Sequence, residues 1–242
     1  MIIYSDTTVF NVNAQTIVNT VNCIGVMGGG LALEFKLRFP EMYEDYVERC
    51  KRKEVKIGRP YLYRGYETPW IMNFPTKEHW KYPSKLQWVR QGLEYFVVNY
   101  ERYGITSIAF PPLGCSKGKL DWRGVKSVME EYLQDVSIDV YICLDRERKA
   151  SGIEELMVNM INNTQNQFWI SELEIRRDIV AKIVTSLPIN RFRELKQIRG
   201  VGTQTYNNLF KVLYSKALTT QQIPDVVKSV QLTEARQLRL FD

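Results

Sequence analysis

Residues 1–145 alternate between short apolar runs, which are typical of strands, and longer stretches with helical spacing. The clearest helix is predicted over Lys85–Tyr103, where apolar side chains recur three and four positions apart. The other predicted elements are strands at Met1–Tyr4, Thr16–Val21, Arg59–Tyr63, Trp70–Phe74, Ser107–Phe110 and Asp139–Cys143, and helices at Leu31–Phe39, Glu41–Lys53 and Trp122–Leu133. Strands that alternate with helices indicate a layered α/β domain with a largely parallel sheet, which binds ligands beyond the carboxyl ends of its strands.

The pattern changes after the last predicted strand. Arg146–Gly152 is charged and contains a glycine, so we expect a domain boundary there, with one domain at 1–145 and a second at 152–242. The second domain shows only helical patterns, so it is predicted to be small and all-α. Its predicted helices are Ile153–Ile161, Ile170–Leu187, Asn190–Ile198 and Thr203–Tyr214.

Composition narrows the possible partners. Residues 1–145 hold 18 Lys and Arg against 17 Asp and Glu, whereas residues 146–242 hold 15 against 10. This excess in the tail favours a polyanion such as nucleic acid, with a solvated surface as the alternative.

Four scattered cysteines and one histidine give almost no zinc ligand set, so we expect reduced thiols, no metal and no cofactor. No apolar run is long enough for a membrane span and the N-terminus lacks signal-peptide features, which predicts a cytoplasmic protein without a membrane partner.

Two glycine-bearing loops follow predicted strands. Thr16–Val21 ends in Asn22 and leads into Gly25-Val26-Met27-Gly28-Gly29-Gly30, which opens a helix. A strand, a glycine loop and a helix together aim backbone N–H groups at an anion, although a plain turn is the alternative. The second loop lies in PPLGCSKGKLDW (Pro111–Trp122), so the pair suits a diphosphate. A third stretch, NFPTKEHW (Asn73–Trp80), brings polar residues to the same sheet edge.

The three stretches NTVNCIGVMGGGLALEF, NFPTKEHW and PPLGCSKGKLDW, in this order and spacing, resemble a macrodomain. Within that family they are most similar to the DNA ADP-ribosyl glycohydrolase (DarG) antitoxins, and the resemblance covers Met1–Leu144. It implies a three-layer α/β/α fold with a mixed, largely parallel sheet. It also implies removal of ADP-ribose from thymidine in single-stranded DNA, which would oppose a DarT-like toxin. A hydrolase of protein-linked ADP-ribose and a non-catalytic reader of ADP-ribose are the alternatives.

The resemblance also implies a set of site residues. Asn22 would contact the distal ribose, and Lys77 would be the catalytic residue. The residues expected to bind ADP-ribose are Thr8, Asn22, Gly25, Val26, Met27, Gly28, Gly29, Gly30, Leu113, Gly114, Cys115, Ser116, Lys117 and Gly118.

Lys77 can be considered on physical grounds alone. As a cation it would stabilise charge while the glycosidic bond breaks, and as a neutral amine it would attack the anomeric carbon. A surface lysine in a polar loop is the alternative. His79 is a candidate general base or a local hydrogen-bonding group, and Trp80 a base-stacking residue or a loop-packing one. Both are predicted to contact nucleic acid.

Three positions depart from the family pattern. An aspartate that recognises adenine is replaced by Thr8, so either Thr8 or Asp6 would serve. Gly118 stands where a related lysine-using hydrolase has an aspartate, which argues against a lysine–aspartate mechanism. Gly29 replaces a lysine of the first glycine loop, which should remove one charge and keep the loop fold.

In the tail, LKQIRGVGTQTYNNL (195–209) resembles a helix-hairpin-helix element. In that motif the glycine turn and the following helix bind a DNA phosphate without reading sequence. Arg199, Gly200 and Gly202 are therefore predicted to contact nucleic acid. A C-cap glycine between two packed helices is the alternative.

Overall fold

A computed structural model describes residues 1–65, 69–163, 173 and 175–238, and only the backbone of residues 222–238. The chain divides into two compact units, Met1–Glu147 and Arg148–Asp242. None of the helices in the described part is both long and apolar enough to cross a membrane.

The first unit is built from alternating strands and helices. In chain order they are β1 (Ile2–Ser5), β2 (Thr16–Asn22), α1 (Gly30–Arg38), α2 (Pro40–Lys51), β3 (Tyr61–Tyr63), β4 (Trp70–Lys77), α3 (Leu86–Asn99), β5 (Ser107–Phe110), α4 (Trp122–Leu133) and β6 (Asp139–Cys143). Only Phe39 separates α1 from α2, which begins at Pro40. Proline cannot continue the preceding helix, but it is tolerated at the first position of a helix, because its missing N–H would have no partner there.

The strands form one six-stranded sheet in the order β1-β6-β5-β2-β4-β3. All neighbours are parallel except β3, which pairs antiparallel with β4 at one edge. The prediction of a mixed, largely parallel sheet is confirmed. β2 lies between β5 and β4, so the carboxyl ends of these three strands open onto one region of the sheet edge.

Alternate side chains of the strands feed two separate cores, one on each face of the sheet. Val18 and Met72 point to the core that α3 and α4 cover, while Ile17 and Ile71 point to the core that α1 and α2 cover. Because both faces are covered by helices, the central strands are apolar at successive positions. This arrangement is the expected three-layer α/β/α fold.

β4 is longer than predicted. The sequence predicts its end at Phe74, but the strand continues to Lys77 even though Pro75 has no N–H for the ladder. β3 pairs only with Ile71–Asn73, so beyond Asn73 the strand has a neighbour on one side only and a proline is tolerated. Asn73 lies in this strand, as predicted, but it is fully buried and four residues before the strand ends, so it is not among the polar residues that reach the sheet edge.

The described elements of the second unit are all helical. They are α5 (Ile153–Asn162), α6 (Arg177–Thr185), a 3₁₀ helix (Phe192–Gln197) and α7 (Thr203–Leu238). The first residues of the helix predicted at Ile170–Leu187 lie outside the described residues, and α6 falls within the rest of it. The helix predicted at Asn190–Ile198 is a 3₁₀ helix and not an α-helix. The 3₁₀ helix is anchored by Arg191, whose guanidinium pairs with the buried Glu154 carboxylate at 2.9 Å. Glu154 also accepts the N–H of Phe192, so the ion pair joins α5 to this turn.

Candidate active site

The first glycine loop (Gly25–Gly30) is organised by Asn22 at the end of β2. The Asn22 carboxamide is buried, and its Oδ1 accepts the backbone N–H groups of Ile24 and Val26. Its Nδ2 donates to the carbonyl of Val26, so the side chain acts as a template for the turn. Contact between Asn22 and a ribose stays a prediction, and the geometry adds the role of shaping the loop.

Tyr46 of α2 holds Asn22 through its hydroxyl group. Its ring is fully buried, and its hydroxyl donates to the Asn22 carbonyl at 2.8 Å and lies 3.1 Å from Oδ1. Burial raises the pKa of Tyr46 far above its ordinary value, so the hydroxyl stays protonated and remains a donor. The sequence alone does not single out this residue, because a tyrosine on an amphipathic helix has the pattern of an ordinary core residue.

Each glycine loop is anchored by one buried apolar residue. Met27 of the first loop packs into the core under α1 and α2, while Leu113 of the second (Leu113–Gly118) packs into the opposite core. These two predicted binding residues are therefore placed to contribute backbone groups, since their side chains are buried. Val26 is exposed, as are Gly28, Ser116 and Lys117.

The two loops face each other across a narrow gap. A Cβ atom on Gly30 would lie 3.7 Å from Cγ of Lys117, which is ordinary van der Waals contact. Gly30 is also the first residue of α1, and Gly29 is its N-cap. First-turn N–H groups of a helix have no intrahelical partner and carry the positive end of the helix dipole, so an anion between the loops would meet favourable donors.

The second glycine loop closes tightly on itself. Leu120 donates its N–H to the carbonyl of Gly114, and Ser84 donates its N–H to the carbonyl of Gly118. A Cβ on Gly118 would lie 2.1 Å from the Gly114 carbonyl oxygen and 2.4 Å from Oγ of Ser84. Only glycine fits there in this loop conformation, so no carboxylate can occupy the position of the family aspartate.

Lys77 contacts the second glycine loop and lies next to the strand that leads into the first. It is the last residue of β4 and lies opposite Asn22 in the pairing of β2 with β4. Its Nζ donates to the carbonyl of Lys117 at 2.5 Å and to the carbonyl of Trp80 at 3.2 Å. Partial burial, together with the charges of Lys119 and Lys117, lowers the pKa of Lys77 below its ordinary value.

His79 and Trp80 lie on the turn that follows Lys77. The two rings stack with centroids 5.7 Å apart, and Trp80 is about half exposed. His79 Nδ1 accepts the N–H of Lys81, so this nitrogen is engaged within the turn. That bond matches the local hydrogen-bonding alternative for His79.

Thr8 lies elsewhere on the sheet edge. It follows β1, which β6 and β5 separate from β2, and its side chain is buried. Its carbonyl accepts the N–H of Asn11, while the exposed Asp6 accepts the N–H groups of Arg146 and Glu147 at its carbonyl. The choice between Thr8 and Asp6 for adenine stays a prediction.

The second glycine loop also carries a thiol, that of Cys115. Burial, and to a lesser degree the charge of Asp121, raises the pKa of the Cys115 thiol to about 11, so it is a poor nucleophile at neutral pH. Among the described residues, no group of three His, Cys, Asp or Glu side chains is placed to hold a metal ion.

The predicted nucleic-acid residues of the tail lie in the second unit. Arg199, Gly200 and Gly202 are exposed on the turn between the 3₁₀ helix and α7. The N–H of Gly202 bonds the carbonyl of Gly200 at 3.0 Å, and Gly200 has a φ of 104° that favours glycine. The turn thus has a glycine-dependent shape, and its contact with DNA stays a prediction.

Comparison with known proteins agrees with this geometry. Residues 18–129 match the Macro domain family. The chain is 43% identical over 132 residues to a DNA ADP-ribosyl glycohydrolase of Thermus aquaticus, covering 53% of this chain and 37% of that protein. It is 40% identical to the solved macrodomain of Mycobacterium tuberculosis DarG, with a TM-score of 0.58 over 60% of this chain and 97% of that one. A structure of Thermosipho africanus DarTG in complex with ADP-ribose is 36% identical, with a TM-score of 0.59 over 64% of this chain and 44% of that one.

The chain spans less than half the length of the curated Thermus relative. The family match at residues 18–129 places the likeness in the first unit. There it extends over nearly the whole of the solved mycobacterial macrodomain at 40% identity. The family, its layered sheet and its two glycine loops therefore coincide in the same part of the molecule. The chain belongs to the macrodomain family, and within it the similarity is to macrodomains of the DarG type.

Proposed function

We propose that this protein is a DNA ADP-ribosyl glycohydrolase, which removes ADP-ribose from thymidine bases of single-stranded DNA. In that role it opposes a DarT-like ADP-ribosyltransferase toxin. DNA as the substrate implies a cytoplasmic location. The proposal is supported by the DNA ADP-ribosyl glycohydrolase of Thermus, which is 43% identical over the matched residues.

The observation that carries the proposal is the position of Lys77. Its amine is bonded to the carbonyl of Lys117, the residue of the second loop that lies against Gly30 of the first, and Lys77 pairs in register with Asn22 before the first loop. A diphosphate held between the loops would direct the distal ribose toward β2 and β4, where this amine lies. A protein that only binds ADP-ribose has no use for an amine at that sugar.

The reaction breaks the bond between the anomeric carbon of the distal ribose and a nitrogen of the base. The bonding electrons go to the base, which takes up a proton, and the oxygen of water ends on the anomeric carbon. The lowered pKa of Lys77 supports a path in which the neutral amine attacks that carbon first and water then displaces it. The cationic alternative would stabilise charge without a covalent bond.

The second candidate activity is hydrolysis of ADP-ribose linked to protein. Gly118 argues against the lysine–aspartate version, because an aspartate side chain there would overlap the Gly114 carbonyl. Exposed lysines at the site, Lys117 and Lys119, also favour a polyanionic substrate over a peptide.

We also propose that the turn 199–202 of the second unit binds DNA phosphate. Gly200 and Gly202 are exposed there, and α7 begins one residue later, so its N-terminal N–H groups and dipole face the same turn. Arg199 adds a charge. Such contacts raise affinity for any strand and do not read its sequence.

The direct test compares two substrates. The protein is incubated with an ADP-ribosylated thymidine oligonucleotide and, separately, with an ADP-ribosylated protein, and loss of the modification is measured. We expect release from the oligonucleotide. Release from protein alone would overturn the DNA assignment, and release from neither would leave a binding protein.

A further inference from the structure

Exposed apolar side chains are concentrated beside Lys77. Among the described residues the large hydrophobic side chains that are exposed are Met1, Tyr4, Ile24, Val26, Trp80, Tyr82 and Val98. Four of these seven lie on the segments that directly follow β2 and β4: Ile24, Val26, Trp80 and Tyr82. The two segments are joined by a hydrogen bond from the N–H of Cys23 to the carbonyl of Glu78. These four exposed apolar side chains therefore lie on two linked segments beside Lys77.

The segment after β4 presents three rings, which we call the aromatic turn (His79, Trp80 and Tyr82). His79 lies between the other two, with centroid distances of 5.7 Å to Trp80 and 5.5 Å to Tyr82. The side chain of Trp80 is 48% exposed and that of Tyr82 is 65% exposed. The N–H groups of Lys81 and Tyr82 bond back to His79, so the turn is already folded before any partner binds.

The charges around these rings are mostly positive. Lys81 and Lys85 are exposed on the same segment, and Nζ of Lys81 lies 5.3 Å from the Trp80 ring centroid. Lys117 and Lys119 of the second loop are exposed and act electrostatically on Lys77. Between Lys77 and Lys85 the one acidic residue is Glu78. Aromatic rings surrounded by lysines suit single-stranded nucleic acid, because its phosphates are attracted to the lysines and its bases stack on the rings.

We infer that the aromatic turn is the platform on which the DNA strand flanking the modified base lies, with bases stacked on Trp80 and Tyr82. This inference rests on the proposed function and adds a binding surface outside the ADP-ribose pocket. The carbonyl of Trp80 accepts from Nζ of Lys77, so a strand held on the platform passes directly beside the amine. A protein partner is the less suitable occupant, because the cores of protein interfaces are depleted in lysine.

The experiment measures kcat/KM on two substrates that share one glycosidic bond. One is an ADP-ribosylated thymidine nucleotide, and the other is a single-stranded oligonucleotide carrying the same base. We expect the wild type to prefer the oligonucleotide, and the double variant Trp80→Ala/Tyr82→Ala to lower the ratio of the two kcat/KM values by about tenfold for each ring removed. Tyr4→Ala removes an exposed ring from β1 at the far edge of the sheet and should leave the ratio unchanged. The double variant Trp80→Phe/Tyr82→Phe keeps an aromatic ring at both positions and should retain most of the wild-type preference for the oligonucleotide.

A binding measurement separates failure of this inference from failure of the proposed function. Anisotropy of an unmodified labelled oligonucleotide should show weaker binding to the double alanine variant than to Tyr4→Ala, even if the protein proves inactive on every substrate. An unchanged ratio together with unchanged binding would overturn the platform. So would an equal loss on both substrates, since that result would place the rings at ADP-ribose and not at the strand. Absence of release by the wild type, with the binding difference intact, would overturn the enzyme assignment alone.

Discussion

At the scale of single residues, the site depends on how two polar side chains are held. Lys77 is held by two backbone carbonyls, one from its own turn and one from the second glycine loop. Asn22 is held by the first glycine loop and by Tyr46. Both are partly or fully withdrawn from water, so their chemistry reflects their surroundings more than their free side chains.

The pH dependence of the reaction distinguishes the two roles of Lys77. Its pKa is lowered below the ordinary value of 10.5, so the neutral fraction rises as pH approaches that lowered value from below. If the neutral amine attacks, the single-turnover rate should rise with pH and level off above the Lys77 pKa. A rate that falls as pH rises through the same pKa would indicate the cationic role. NMR titration of the Lys77 side chain supplies the pKa for comparison.

Tyr46→Phe tests whether the first glycine loop depends on its buried support. The change removes one hydroxyl and leaves the Asn22 carbonyl without that donor, which should cost about 1–3 kcal/mol in the free energy of unfolding. We expect affinity for ADP-ribose, measured by calorimetry, to fall about fivefold or more. Tyr43→Phe is the matched control on the same helix, since the ring of Tyr43 contacts Lys36. Wild-type affinity in Tyr46→Phe would contradict the supporting role.

At the scale of elements, the site is two glycine loops and the end of one strand. The loops are anchored in opposite cores through Met27 and Leu113, and the strand that carries Lys77 runs between those cores. The position of the amine relative to the loops is therefore set by the packing of the whole sheet.

Gly118→Ala tests the tight closure of the second loop. A methyl group there would overlap the Gly114 carbonyl and Ser84 Oγ, so the loop must open. We expect a loss of about 1–3 kcal/mol in the free energy of unfolding and about tenfold weaker ADP-ribose binding. Gly29→Ala is the control, because a Cβ at Gly29 meets nothing within 4 Å and its backbone is extended. Equal stability of the two variants in thermal unfolding would contradict this account of the loop.

The elements were largely predictable from the sequence, because the helices show a clear apolar periodicity and the strands, covered on both faces, stand out as short apolar runs. Trp122–Leu133 and Asp139–Cys143 have the predicted bounds. The extension of β4 to Lys77 was not predictable, since it depends on β3 pairing only at Tyr61–Tyr63. The support of Asn22 by Tyr46 was also hidden, because it joins residues of two elements that no local pattern connects.

At the scale of the whole molecule, the chain combines a nearly neutral first part with a basic tail. The tail accounts for most of the net charge of +6. A polyanionic substrate would be attracted by that excess, and the attraction should weaken with salt. The exposed turn 199–202 is the part of the tail proposed to contact phosphate.

Arg199→Ala tests this contribution of the tail. Binding of an unmodified single-stranded oligonucleotide is measured by anisotropy at several salt concentrations, and the slope of log affinity against log salt is compared. Loss of one phosphate contact should reduce the slope by roughly 0.7. Arg176→Ala, an exposed residue paired with Asp178 in the same unit, is the control. An identical slope for Arg199→Ala and the wild type would remove the turn from the interface.

The central claim is that the amine of Lys77 cleaves the bond between ADP-ribose and the base. The most direct measurement is single-turnover release of ADP-ribose from an ADP-ribosylated thymidine oligonucleotide by the wild type, Lys77→Ala and Lys77→Arg, with ADP-ribose binding measured on each. We predict that Lys77→Ala binds ADP-ribose but releases it roughly a thousandfold more slowly, or not at all. Lys77→Arg keeps the charge without a neutral amine, so it should be equally slow if the amine attacks the sugar and should retain part of the activity if the cation acts by its charge. Release by Lys77→Ala at a rate close to that of the wild type would contradict the claim.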